Sequence, residues 1–246
     1  MRYTEAVARL ASLPATLPPP PEALLPTRTD TGEQRAPAWP FGPESAKPSA
    51  VLLLLAPSAD DDPDAEAEIL LIRRVDRGGH HSGQMALPGG RSEPDDADAS
   101  ATAIREATEE VGLDPLAARV RVIGELEEFW IPVSGYRVTP VLAVAERRPR
   151  VLAAEDEVAE VLWAPIDAFL AGAPIEMVET TVRTTTGAFP LRFGAYAVEG
   201  HQVWGATARI LGQLGALLDG SNGELHPAVN EPSSGERPPA GNSGRT

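Results

Sequence analysis

The stretch from Gly89 to Leu113, GGRSEPDDADASATAIREATEEVGL, constrains this chain more than any other. It joins a glycine turn to a helix-length segment and closes on Gly112. Within the helical part, Glu106, Glu109 and Glu110 are related by i, i+3 and i+4, so their carboxylates share one face. At about 1.5 Å rise per residue, Glu106 and Glu110 stand roughly 6 Å apart along the axis. Oxygen ligands in that arrangement suit Mg²⁺ or Mn²⁺, which keep waters for a phosphate substrate to displace. Taken alone, Arg105-Glu106-Ala107-Thr108-Glu109-Glu110 has a plainer alternative: a solvated face with an i, i+4 pair between Arg105 and Glu109. Turn, helix, clustered acids and closing glycine together are more specific than the acids by themselves.

The composite resembles the Nudix box, Gly-x5-Glu-x7-Arg-Glu-hydrophobic-x-Glu-Glu-x-Gly-hydrophobic. Arg105, Glu106, Glu109, Glu110, Gly112 and Leu113 match, with Ala107 at the hydrophobic site. Counting from Gly90, the glutamate position holds Asp96, and one extra residue precedes Arg105. Upstream, residues 70–90 read LLIRRVDRGGHHSGQMALPGG. They resemble the segment before the box in Nudix hydrolases that act on coenzyme A. Leu70, Leu71, Arg74, Gly83, Pro88, Gly89 and Gly90 fit. Ile72 replaces the usual Thr, Leu87 the usual Phe, and the second arginine is displaced to Arg77 or lost at Gly79. Residues 135–145, 155–158 and 203–211 are similar to the same branch.

The resemblance implies an α/β fold, the Nudix-type α/β/α sandwich with a mixed β-sheet. It implies hydrolysis of a nucleoside diphosphate linked to another moiety, with Mg²⁺ or Mn²⁺ as cofactor. Such displacements depend on positioning and charge neutralisation. Glu106 and Glu110 are the expected principal metal ligands. Glu109 is either a third ligand or the base, and the Gly90 carbonyl completes the shell. Arg105 is expected to hold a carboxylate of the helix in place. Glu157, in the acidic cluster Glu155-Asp156-Glu157, is the expected ligand or base from a late loop, with a solvated loop as the alternative. Arg74 and Arg77, with Gly89 and Gly90, are the expected substrate-binding residues. The substrate is expected to be coenzyme A or acyl-CoA. The alternatives are ADP-ribose, a dinucleotide or another nucleotide derivative, and, in a different class, a Nudix-fold binding module without turnover. The intact acidic face argues for catalysis.

Other candidates carry less. His80 and His81 lie in a Gly-rich loop, where a phosphate contact and a plain loop role compete. Trp130, Tyr136 and Trp204 are suited to stacking on adenine or to core packing. Asp60, Asp61 and Asp62 beside Pro63 read as a solvated turn. The absence of cysteine excludes a thiol nucleophile, disulfides and Cys-ligated zinc. It is compatible with a cytoplasmic setting, which is the expectation. MRYTEAVARLAS lacks the apolar core of a signal peptide, and the run from Val51 to Ala56 is far too short to span a bilayer. A net charge of −15 disfavours a nucleic-acid surface. The expected partner is a small nucleotide substrate, with no nucleic acid and no membrane; a homodimer is left open.

The 246 residues and 42% hydrophobic content suit a soluble globular chain. Residues 1–48 read as an irregular, Pro-rich extension, 49–219 as the catalytic domain and 220–246 as a disordered tail. Strands are expected at 50–56, 68–73, 121–129, 137–145 and 158–163. A further pair is expected at 178–183 and 191–198. Helices are expected at 97–111 and 207–218, the latter with Ile210, Leu211, Leu214, Leu217 and Leu218 at core spacing.

Overall fold

Alternation in one apolar strand explains the layering. In Lys47–Pro57 (β2), Leu53 and Leu55 pack into one core cluster, whereas Ala50, Leu52, Leu54 and Ala56 pack into another. A strand buried on both faces needs a layer on each side. The same alternation runs through Ala67–Arg74 (β3) and Tyr136–Ala145 (β8). The computed structural model describes residues 1–34, 45–76, 83–131, 134–184 and 187–220.

Among the described residues, the central sheet has eight strands. β2 runs parallel to β8 and antiparallel to β3. Beside the first half of β2 lies the short strand Gly89–Arg91 (β5), and Met85–Ala86 (β4) pairs with β3. Val120–Glu125 (β6) and Phe129–Ile131 (β7) pair with β8, and Val158–Pro165 (β9) pairs with β3. All these pairings except β2 with β8 are antiparallel, so the sheet is mixed as expected. Helix Ala99–Val111 (α2) covers one face through Ala103, Ala107 and Val111. Helices Tyr3–Arg9 (α1) and Gly205–Leu218 (α3) cover the other, with Ala6, Leu10, Leu211 and Leu214 fully or almost fully buried. This is the α/β/α sandwich.

The strand expected over 121–129 is interrupted. Leu126 N–H bonds to the Pro140 carbonyl, but Pro140 has no N–H to return, and the ladder resumes only at Phe129. A second, four-stranded antiparallel sheet combines Thr27–Arg28 (β1), Glu176–Thr184 (β10), Gly187–Val198 (β11) and His201–Trp204 (β12). The expected pair at 178–183 and 191–198 lies within it, with β11 at the centre between its partners and β10 at one edge. β12 was not expected. Its hairpin turn is Glu199-Gly200, both at positive φ, where Asn or Asp normally stands before Gly. In the N-terminal part, Tyr3 Oη donates to the Ala145 carbonyl at 2.6 Å and Leu24 is buried against the same core as α3. Among the described residues, no helix is long and apolar enough to cross a membrane.

Candidate active site

The site is built where β5 wedges in beside β2. Gly89 has φ 154°, and a Cβ there would overlap the Ala50 carbonyl. A Cβ at Gly90 would overlap the Glu106 carboxylate. Glycine at 90 therefore lets backbone and carboxylate approach as no other residue could. α2 starts at its N-cap Asp98, whose side chain accepts from Ala101 N–H at 2.8 Å, and stops at Gly112 in the left-handed conformation.

The three acids of the shared face meet different environments. Glu110 is buried, with its side chain 1% exposed, and accepts from Gly89 N–H at 2.8 Å. Arg74 Nη2 stands 3.8 Å from its other oxygen. Burial outweighs both contacts and pushes the carboxyl up to about 7, with Glu106 and Glu157 adding repulsion. Glu106 is also raised, first by burial and further by Glu109 and Glu157, against the pull of Arg105. Glu109 is the exposed member, 58% accessible, and pairs with Arg105 at 3.0 Å.

Arg105 does more than hold one helix carboxylate. Its Nε and Nη2 grip Asp96 at 3.0 and 3.1 Å, Nη2 also donates to the Arg91 carbonyl at 2.9 Å, and Nη1 lies 3.0 Å from both Glu106 and Glu109. The forked guanidinium suits this multiple contact. Asp96 also accepts from Thr102 Oγ1 and Glu93 N–H, each at 2.8 Å. Arg105 and these donors hold the Asp96 carboxyl well below the usual carboxylate range. Spacing alone left Asp96 without a role; the extra residue before Arg105 still lets the two meet.

Glu157 comes near the helix by long-range folding. Leu152 N–H bonds to the Val111 carbonyl at 2.9 Å, and Ala154 N–H to the Glu110 carbonyl at 2.8 Å. The Glu157 carbonyl accepts from Val75 N–H at 3.0 Å. The exposed Glu157 side chain thereby lies close enough to repel both Glu106 and Glu110.

Among the described residues, no three acidic or histidine side chains converge as a ready-made metal cage. Arg105 draws Glu109 toward itself, and Gly89 and Arg74 engage Glu110. The donor set nevertheless fits a hard divalent cation. Glu106 and Glu110 are carboxylates whose charge burial disfavours, and a cation between them favours the ionised forms.

Arg73 and Arg74 diverge at the end of β3. Arg73 donates to Glu160 at 2.9 Å, whose other oxygen meets His201 at 3.2 Å, while Arg74 faces Glu110. Arg77, Gly79, His80 and His81 lie outside the described residues. Trp204 stacks on Phe193 at 5.0 Å, in the smaller sheet. Trp130 and Tyr136 are half-buried on β7 and β8. Asp62 accepts from Asp64 N–H at 2.9 Å, as a turn residue does, whereas Asp60 accepts from the distant Arg148 N–H at 2.6 Å.

A family model described as the NUDIX domain matches residues 51–183. Nudix hydrolase 15, mitochondrial, of Arabidopsis thaliana is 33% identical over 174 residues, covering 69% of this chain and 58% of that protein. The chain thus spans less than two thirds of that relative's length. The uncharacterized Nudix hydrolase NudL of Pectobacterium atrosepticum is 36% identical over 151 residues, 59% of this chain and 72% of that protein. Among solved structures, a Nudix hydrolase from M. smegmatis, RenU, superposes with a TM-score of 0.40 at 24% identity, covering 58% of this chain and 80% of that one.

Proposed function

The chain belongs to the NUDIX family and is a hydrolase, and we propose that it cleaves the pyrophosphate of coenzyme A or acyl-CoA to 3′,5′-ADP and a 4′-phosphopantetheine product. The observation that carries this reading is Arg74. It belongs to the segment that resembles the coenzyme A branch, and it stands 3.8 Å from the most buried acid of the Nudix helix. An arginine of that segment beside one expected metal ligand supports the reading.

Glu106 and Glu110 would hold Mg²⁺ or Mn²⁺, with Glu109 and the Gly90 carbonyl completing the shell. A bound cation supplies charge neutralisation at the phosphoryl oxygens and acidifies water. The chain's own residues do the rest. Gly89 N–H fixes the orientation of Glu110, and Arg105 tethers the exposed side of the helix to Asp96. Arg74 meets a non-bridging oxygen of the pyrophosphate by charge-assisted hydrogen bonding. A water oxygen bonds to phosphorus as the bridging P–O bond breaks, and its proton passes to a carboxylate. We assign that carboxylate to Glu157, because Glu109 already serves the metal shell and the pair with Arg105.

A cytoplasmic setting is part of the same proposal and rests on the cysteine-free composition. The Arabidopsis relative is named as mitochondrial, so cell fractionation decides this point. The substrate test is a panel of coenzyme A, acyl-CoA, ADP-ribose, NADH and a dinucleoside polyphosphate, each with Mg²⁺ and with Mn²⁺. Highest kcat/KM on a coenzyme A species supports the proposal. Highest kcat/KM on ADP-ribose or a dinucleotide moves the enzyme to that substrate class, and no turnover on any of them favours a binding module.

A further inference from the structure

Among the described residues, β10 is an open edge: it pairs with β11 alone, in an unbroken antiparallel register from Glu176↔Ala195 to Thr184↔Gly187. At about 3.4 Å per residue its nine residues present roughly 30 Å of edge. Exposed edges of that length are normally blunted by lysine, proline, a bulge or a covering loop. The sequence EMVETTVRT has no lysine and no proline, its charged residues Glu176, Glu179 and Arg183 are of both signs, and the register shows no bulge. Met177 is 52% exposed on this strand, one of three large exposed hydrophobics among the described residues.

The direction of the free backbone groups follows from Pro190. It stands opposite Thr181, has no N–H, and its carbonyl accepts from Thr29 on the far side, next to β1. Thr181 is therefore in a pair that exchanges no hydrogen bonds with β11, and its own N–H and C=O point outward. Every second residue does the same, which adds Glu179 and Met177.

We propose that this edge is covered by β10 of a second copy of the chain, antiparallel about a two-fold axis at Thr180. Thr180 is the midpoint of the strand, so this register overlaps the two copies along their full length. It sets Glu179 opposite Thr181 of the second copy. Both residues point their backbone groups outward, so each such pair exchanges N–H···O=C bonds. Thr180 meets Thr180 of the second copy in a non-hydrogen-bonded pair, where Thr–Thr contacts are favourable. A second copy is favoured over an unrelated peptide because the edge is self-complementary. The alignment places no glutamate opposite a glutamate, and Glu179 is already neutralised within its own sheet by Arg192 at 2.7 Å. The pairing is isologous, so it closes as a dimer and does not propagate. Two four-stranded sheets then become one of eight strands. The net charge of −15 per chain opposes association at low ionic strength, so the dimer tightens with moderate salt.

Sedimentation velocity of the full chain, from low to high micromolar and at two salt concentrations, is the first measurement. We expect a monomer–dimer equilibrium that shifts toward dimer with added salt. Thr181→Pro removes an outward N–H and leaves every bond to β11 in place, so it should fold and weaken the dimer by at least about tenfold. The cysteine-free chain permits a second test that does not depend on that variant folding. Thr180→Cys should form an intermolecular disulfide on mild oxidation, because the two positions face each other. Leu116→Cys, on an 88% exposed residue beyond the C-terminal end of α2, is the control and should not. A wild-type monomer at every concentration and salt overturns the proposal. So does a dimer that Thr181→Pro leaves intact, or equal cross-linking at positions 180 and 116.

Discussion

Asp96 grips Arg105 at two points, Oδ1 to Nε at 3.0 Å and Oδ2 to Nη2 at 3.1 Å, while the same guanidinium reaches Glu106 and Glu109. The acidic face of α2 is thus braced from a residue that lies before the helix begins.

Asp96→Asn should lower kcat by about tenfold or more with little change in KM, since it loosens the support of the proposed ligands and lies away from the proposed substrate contacts. The folded-state carboxyl titrates below its ordinary value. Its contribution to stability is therefore present above the usual carboxylate range and disappears as pH falls through the lower folded value. Urea unfolding should show wild type more stable than the variant at pH 7 and at pH 5, with the gap closing only in stronger acid. A gap that closes already near pH 5 would mean that Asp96 is not held by Arg105 in solution.

Glu110→Gln should nearly abolish turnover while the protein stays folded. In the metal-free protein the sign of the pH effect is opposite to that of Asp96. The folded carboxyl titrates near 7, above its unfolded value, so the folded state keeps a proton that the unfolded state releases. Stability therefore falls as pH rises from the ordinary glutamate range to about 7, and is flat above it. In a chelator, Glu110→Gln should match wild type in mild acid and exceed it at pH 8, by about 1.4 kcal/mol per unit of displacement. Saturating Mg²⁺ or Mn²⁺ should reverse that order. Wild-type turnover by the variant would remove Glu110 from the site.

Gly90→Ala tests the close approach of β5 to the helix. The added methyl overlaps the Glu106 carboxylate, so the side chain must rotate away. Activity should fall by about a hundredfold or more, with apparent metal affinity falling in parallel. An unchanged metal titration midpoint would show that Glu106 does not ligate from this position.

Arg74 and Arg77 should separate on substrates. Arg74 faces Glu110, so Arg74→Ala should depress coenzyme A and dephospho-coenzyme A alike. If Arg77 reads the 3′-phosphate, Arg77→Ala should reduce kcat/KM for coenzyme A alone, by roughly tenfold or more for a lost bidentate contact. Steady-state rates on both substrates check this. Equal wild-type rates on the two would leave the 3′-phosphate unread.

The legible part of the site was local. Helical spacing put Glu106, Glu109 and Glu110 on one face, and Gly112 marked the helix end, because both depend on a few consecutive residues. Spacing could not say which acid is buried. Adjacent residues lie about 100° apart around the helix axis, and the seating of α2 beside β5 leaves Glu110 1% exposed and Glu109 58% exposed. The Asp96–Arg105 pair was obscured because the chain has one residue more than the pattern allows. Glu157 was named from a resemblance, but its nearness to Glu106 and Glu110 depends on loop 151–157 docking some forty residues downstream, which no local period encodes. In the fold, the buried strands β2, β3 and β8 were plain from their apolar runs. β12 was hidden by a turn that uses Glu199 where a small polar residue is usual.

The loop that carries Glu157 is tied to α2 through main-chain groups: Leu152 and Ala154 N–H to the Val111 and Glu110 carbonyls. Almost any side chain supplies those amides, and Leu152 itself is 80% exposed. The tie at 152 and 154 therefore depends on the course of the main chain, while Val151 and Ala153 between and before them pack against the core. Related chains can diverge freely at 152 and 154, proline excepted, whereas a one-residue insertion between 154 and 157 would carry the acid out of reach of the helix.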